Sequence, residues 1–378
     1  GKVVFIDSRE KAPAAATADM FELDEKGRVK PDERGFNPVA IGGRSIAVPG
    51  EIAGLLTALE QYGTMSRNEV IQPAVDRARQ GVPVSEVLAS MIAANYDTLL
   101  TFPASEAIYL TDGFPKLAGE KVSNTDLADT LELIAQQGRD AFYTGRVAES
   151  IVAAVQADGG IITLEDLASY DVSFRNPVIG SYRGYQIVSA SPPSSGGAHV
   201  IELLNIMENF NLRKMGFNTP ESIHAWSEAM KLVYADRAKY MGDTDFTNVP
   251  LQGLTSKEYA LSQFRRIDMN QAMQRADAGD PWQNESGSTT HFSVVDSKGN
   301  MVAYTKTINH FFASGITAPG TGVLLNDQMD DFDKQPGQAN SIAGGKKPLS
   351  SMSPTLILKD GKPFATLGSP GGKRIITT

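Results

Sequence analysis

The stretch Asn284–Asp296, NESGSTTHFSVVD, delivers a pair of threonines to the start of a strand. Asn284, Glu285, Ser286, Gly287 and Ser288 form a polar, glycine-bearing approach. Thr289 and Thr290 follow, and His291 to Val295 then alternate as a half-buried strand does. Ser297-Lys298-Gly299-Asn300 is turn material, and Met301–Thr307 (MVAYTKT) reads as the returning strand. Two readings stay open on these residues alone. One is an ordinary hairpin. The other is a self-cleaving chain, whose flexible lead-in presents a threonine that becomes a new N-terminus, with hydroxyl and amine side by side.

The chain has 378 residues, 41% of them hydrophobic and 21% charged, which fits two domains or one large layered unit with a sizeable core. A formal charge of -9 argues against nucleic acid and anionic membranes as partners. The absence of cysteine excludes disulfides, thiolate metal sites and a cysteine nucleophile. No apolar run approaches the roughly 18 residues of a membrane-spanning helix, and no signal peptide is visible. The chain opens at Gly1 without Met and ends on Ile375–Thr378, so both ends are expected to be edges of a longer protein.

Lys2–Ile6 and Gly42–Gly50 read as strands. Glu51–Tyr62, Met65–Arg79, Val84–Leu99, Asn124–Gln137 and Arg146–Val155 read as helices, the second opened by a capping box of Ser66 and Glu69. Pro177–Ile187 alternates like a hairpin and leads into Pro192-Pro193-Ser194-Ser195-Gly196-Gly197. Helices are expected over Ala198–Asn211, Thr219–Met241 (packing through Ala225, Met230, Val233 and Ala238) and Ser256–Ile267. Residues 269–288 have no period and read as a linker. Strands then dominate, at 290–296, 301–307, 322–325, 353–359 and 363–368. Helices first and strands last predict helical layers over sheet rather than regular βαβ alternation.

Most familiar chemistries are missing. His199, His224, His291 and His310 show no metal-ligand spacing, and HExxH and GxSxG are both absent. Asp243 and Asp245 open no calcium-loop pattern, and the paired glycines match neither dinucleotide nor phosphate-loop fingerprints. Gly368-Ser369-Pro370-Gly371-Gly372 after a strand is more pointed, because successive glycines can turn backbone N–H groups toward an anion or oxyanion. Lys346-Lys347-Pro348-Leu349-Ser350-Ser351 sets hydroxyls close together, as a capped turn also would. Asp330 and Asp331 either carry chemistry or face solvent. Arg9, after a buried strand, suits a carboxylate anchor or a plain surface cation.

Taken together, several stretches resemble the gamma-glutamyltranspeptidases, a family of N-terminal nucleophile hydrolases. They are Thr289–Asp296, Thr307-Ile308-Asn309, Asn326–Phe332 (NDQMDDF), Pro348–Thr355 (PLSSMSPT) and Gly368–Gly372. Asp7–Pro13 (DSREKAP), Val48-Pro49-Gly50-Glu51 and Pro192–Gly197 agree. The likeness runs from the first residues to the last.

That resemblance implies an α/β (α+β) fold, an αββα four-layer sandwich, built from two subunits cut from one precursor between Ser288 and Thr289. A large-subunit portion would span 1–288, ending in a flexible linker 269–288, and a small-subunit portion 289–378, the two forming one structural unit. It also implies further residues at both ends, with a signal peptide, hence secretion or a bacterial periplasm. Thr289 would be the nucleophile, its own amine the base, and Thr307 its supporting hydroxyl. Gly371 and Gly372 would form the oxyanion hole. Arg9 with Ser350 and Ser351 would grip the glutamyl α-carboxylate. Asp331 with Asn309 and Gln328 would hold the α-ammonium. Substrates would be glutathione, glutamine and other γ-glutamyl amides, acceptors would be water, amino acids or peptides, and neither cofactor nor metal is implied.

One departure stands out. Asp333–Gly345 is short and lacks an aromatic residue where many family members carry a lid, so a more open pocket admitting γ-glutamyl polymers is expected. Two rivals remain at this level: a related acylase cleaving glutaryl-type amides, and an unprocessed, non-catalytic fragment.

Overall fold

The computed structural model describes residues 2–277 and 288–378. Residues 278–287, including Asn284–Gly287 of the lead-in and half of the expected linker, lie outside the described residues. Strand β1 (Phe5–Asp7) precedes helix α1 (Glu51–Tyr62). Helices occupy most of Arg67–Ala168, and strand β2 (Ser173–Arg175) returns to pair antiparallel with β1. β3 (Val178–Tyr182) and β4 (Tyr185–Ser189) form a hairpin, followed by α2 (Gly196–Met207) and α3 (Pro220–Tyr240). Two further hairpins close the chain: β5 (Ser288–Val295) with β6 (Met301–Asn309), and β7 (Thr355–Lys359) with β8 (Lys362–Leu367).

Local chemistry accounts for the hairpins. Arg183-Gly184 and Asp360-Gly361 each place two successive residues at positive φ, the tight two-residue turn whose twist matches that of paired strands. Those hairpins join through β4 and β7 into one antiparallel sheet of order β8-β7-β4-β3. Gly180, Ile187, Ile357 and Ala365 stand in register across it. Ile187 and Ile357 pack with Ile201, so α2 covers this face. A Cβ at Gly180 would come within 2.5 Å of the Ile201 side chain, so glycine is what lets the helix approach this closely. Behind α2, Leu203, Ile206 and Met207 pack on Ala225, Ala229 and Val233 of α3.

The opposite face of the sheet receives the β5–β6 hairpin. Thr366 of β8 contacts Ser293 Oγ and the Val302 carbonyl, and Ser293 shares a face with His291 and Thr289. On the hairpin's outer face Tyr304 and Lys306 both reach Glu51 of α1, which gives the order helix, sheet, hairpin, helix. α1 in turn belongs to a core with Val147, Ile151 and Tyr170.

Three expectations change. Gly42–Gly50 is not a strand: Gly42 sits at φ 93, Gly43–Ser45 is a 3-10 turn, and only Val48 bridges to Lys11. Val84–Leu99 is two helices, Glu86–Ala94 and Tyr96–Thr101, separated at Asn95. Ala238 faces solvent, whereas Glu228, Asp236 and Arg237 of the same helix are buried. The expected strands near 290–296 and 301–307 are present, the first beginning at Ser288, and the Ser66–Glu69 capping box is present too.

Candidate active site

β5 and β6 place the proposed nucleophile. Thr289 lies directly opposite Thr307, and Ser288 opposite Asn309 across a bulge. In this uncut chain the Thr289 nitrogen is still a peptide amide. Two residues along the same face, His291 bonds Thr305 Oγ1 through Nδ1 (2.7 Å) and Ser293 Oγ through Nε2 (3.0 Å). Gly368 rests on that imidazole, and a Cβ there would lie 2.3 Å from the ring, so the glycine turn after β8 is seated against the strand carrying Thr289. Gly371 and Gly372 then take φ 136 and φ 59, conformations that favour glycine. Neither N–H donates to a backbone or side-chain acceptor among the described residues. Such free, consecutive donors suit an oxyanion.

Arg9 organises the other half. It is 6% exposed. Its Nε donates to the Pro348 carbonyl (3.2 Å), Nη1 to Gln328 Oε1 (3.1 Å), and Nη2 to the Leu349 carbonyl (3.1 Å) and the Asp331 carboxylate. Gln328 Nε2 also donates to Asp331 (2.9 Å). Arg9, Gln328, Asp331 and the segment entering Ser350-Ser351 are thus one hydrogen-bonded unit. Four of the guanidinium's five N–H groups are already used, so a bidentate grip on a carboxylate requires Asp331 to release Nη2. A cation arriving beside Asp331 would draw that carboxylate away. Asp330, by contrast, is paired with Lys334, which separates the two neighbouring aspartates.

Asn309 joins the halves. It sits at φ 79, beyond the bulge, with its N–H on Thr307 Oγ1 (2.9 Å). Its Nδ2 turns toward the Asp327 carbonyl (3.3 Å) and carboxylate (3.5 Å), leaving Oδ1 to accept from a cation. Burial pushes Asp327 up to about 6 despite its hydrogen bond with His310. Burial by itself would lower His310, but the Asp327 carboxylate raises it.

Neither Asp327 nor His310 was singled out from sequence, although Asp327 lies inside the NDQMDDF motif. Arg237 was also missed. The signal was Asp236-Arg237 continuing the spacing of Ala225, Ala229 and Val233, which buries charge where a surface face was expected.

Glu10 abuts Arg9 at 3.5 Å, and burial pushes its carboxyl up to about 7. Its folded pKa is thus above the unfolded value, so its contribution is intact below about pH 4.5 and is lost as pH rises through 7. Glu10→Gln is expected to stabilise the protein by on the order of 3 kcal/mol at pH 9 and by little at pH 4. Thermal melts of both proteins across that range check this, and an unchanged pH profile would contradict it.

The family model for gamma-glutamyltranspeptidase matches residues 1–378. The chain belongs to the gamma-glutamyltranspeptidase family. Within it, the chain is 45% identical over 391 aligned positions to the Escherichia coli (strain K12) "Glutathione hydrolase proenzyme", covering 100% of this chain and 66% of that relative. It therefore spans slightly under two thirds of that gamma-glutamyltranspeptidase relative's length. The Helicobacter pylori gamma-glutamyltranspeptidase structure superposes with a TM-score of 0.69 at 40% identity, covering 76% of this chain and 81% of that one. The cephalosporin acylase of Bacillus halodurans superposes with a TM-score of 0.85 at 27% identity, covering 97% and 66%. The mixed α/β fold is that of the N-terminal nucleophile hydrolases.

Proposed function

We propose that this gamma-glutamyltranspeptidase-family protein transfers and hydrolyses γ-glutamyl groups, taking glutathione, glutamine and other γ-glutamyl amides as donors. The Thr289 hydroxyl first attacks the Ser288 carbonyl and displaces the Thr289 nitrogen, which takes up the hydroxyl proton and becomes a free amine; water then hydrolyses the resulting ester, restoring the hydroxyl and leaving Ser288 with a terminal carboxylate. The portions 1–288 and 289–378 then remain together as two subunits of one unit. The new amine takes the hydroxyl proton as Thr289 Oγ1 attacks the γ-carbonyl, Gly371 and Gly372 donate to the oxyanion, and the proton leaves with the departing amine. Water or an amino acid or peptide amine resolves the Thr289 ester. Thr307 supports the nucleophile. Arg9, Ser350 and Ser351 receive the α-carboxylate, and Asp331, Asn309 and Gln328 the α-ammonium. By kinship with the family, a secreted or periplasmic setting follows.

The observation that carries this reading is the opposite-charge pair Arg9–Asp331, held by Gln328 beside the Ser350-Ser351 segment. A buried cation and a partly exposed anion presented together match an α-amino acid head group, whose charges can replace each pairing as it opens. The short segment 333–345 is folded on itself, Asp333 bridging Ser341 and Asn340 Nδ2 donating to the Asp331 carbonyl (2.7 Å). That pinning supports an open pocket and access for γ-glutamyl polymers. Release of p-nitroaniline from γ-glutamyl-p-nitroanilide, accelerated by glycylglycine, tests the function. Absence of release from the processed protein would refute it.

A further inference from the structure

The loop Pro192–Gly197 and helix α3 leave a chemical feature that the mechanism above does not use. Ser194 forms a parallel bridge with Ser350, and the Ser194 hydroxyl donates to the Met352 carbonyl (2.6 Å). The Ser195 N–H and hydroxyl both donate to the Ser350 carbonyl, at 2.8 and 2.7 Å. Into this junction α3 inserts Arg237, 8% exposed. Its Nε donates to Ser195 Oγ (3.0 Å) and its Nη2 to Ser351 Oγ (2.8 Å).

A guanidinium only donates, and a serine hydroxyl carries one hydrogen and two lone pairs. Ser195 accepts from Arg237 and spends its hydrogen on Ser350. Ser351 also accepts from Arg237, yet its own hydrogen has no acceptor among the described residues. A buried hydroxyl that is already an acceptor and still has a free O–H is set to donate to an incoming anion. Arg237 strengthens that donor, because the cation polarises the O–H bond it holds.

Other buried polar groups lie near Arg237, whose charge is felt at His199. On α2, His199 Nδ1 meets Glu202 Oε2 at 2.7 Å with both side chains fully buried. Burial holds His199 down at about 3, hence neutral, and raises Glu202 well above the ordinary carboxyl range. Tyr259 and Gln263 both donate to Asp236, at 2.7 and 2.6 Å.

We infer that Arg237 is a positioning residue for substrate recognition: through Ser351 Oγ directly, and through Ser195 to the Ser350 main chain, it orients the paired serines as donors to the substrate α-carboxylate. This rests on the γ-glutamyl reading above, and it adds a specificity element contributed by α3, outside the nucleophile-bearing portion.

The test compares two substrates in the processed protein: γ-glutamyl-p-nitroanilide, and 4-aminobutyryl-p-nitroanilide, which lacks only the carboxylate. For Arg237→Met the expected loss in kcat/KM on the first is about 10- to 30-fold, carried by KM, with under about threefold on the second. Ser351→Ala should show the same selectivity, and adding Arg237→Met to it should cost less than Arg237→Met costs alone, since only the Ser195–Ser350 route is left to lose. Equal losses on both substrates, or additive losses in the double variant, overturn the inference. If Arg237→Met does not fold or process, Arg237→Lys carries the test. The ammonium keeps the charge but lacks the guanidinium's fixed fork, so a smaller loss with the same substrate selectivity supports the inference, and a loss shared by both substrates overturns it. A wild-type protein inactive on γ-glutamyl-p-nitroanilide would instead remove the underlying function, and the inference with it.

Discussion

Thr289→Ala will leave one uncut polypeptide with no measurable γ-glutamyl turnover. The substitution removes the hydroxyl to which we assign both chain scission and acyl transfer, so the expected drop in kcat/KM is at least about 10,000-fold. Thr289→Ser keeps a hydroxyl and should still process, more slowly. Stability should barely move, because Thr289 is only partly buried and its strand pairing with Thr307 runs through the backbone. Gel and mass analysis with an anilide assay suffice. A Thr289→Ala protein that still divides at this bond, or that still turns over substrate, would contradict the account.

The second large effect is expected at Asp331. Its side chain is 27% exposed and pairs with an Arg9 side chain at 3%. Asp331→Ala removes the counter-charge for a substrate ammonium and leaves a buried guanidinium short of a partner. The loss in kcat/KM for γ-glutamyl-p-nitroanilide should be about 100- to 1,000-fold, the range for breaking a buried charge pair. Glutaryl-p-nitroanilide has the carboxylate at the far end but no α-ammonium, so its already low turnover should change by less than about threefold. The comparison also weighs the acylase alternative. Similar losses on the two substrates, or a wild-type preference for glutaryl, would favour an acylase over a γ-glutamyl enzyme.

What could be seen in the sequence was what is decided locally. Asp360-Gly361 announces its hairpin because two positive φ angles in succession favour those residues, and Ser66 with Glu69 announces a helix start because both caps lie within one turn. The strand headed by Thr289 was visible from its alternation. The rank of Thr289 over Thr290 was not, and came from resemblance across the whole chain. The Gly42–Gly50 segment misled, since its apolar residues serve two different cores rather than a sheet face: Ile46 and Val48 face the α1 core, and Ala47 another.

Buried charge was the least legible. Arg9 and Arg237 find side-chain or carbonyl partners 319, 340 and 114 positions away, and Asp236 finds Gln263 on a later helix, so the burial of the last two shows in their spacing but their partners do not. Lys347 is similar: its ammonium, 1% exposed at the side chain, meets Asp7 at 2.6 Å. No periodicity encodes such pairings, because each depends on tertiary contact alone.

The most direct test of the central claim is covalent trapping. The wild-type protein would be incubated with a diazoketone analogue of the γ-glutamyl group and its peptides mapped by mass spectrometry. The account predicts a single adduct on a peptide whose N-terminal residue is Thr289, with the modification on Thr289 itself. An adduct on another residue, or stoichiometric labelling of a chain still joined at Ser288–Thr289, would contradict it.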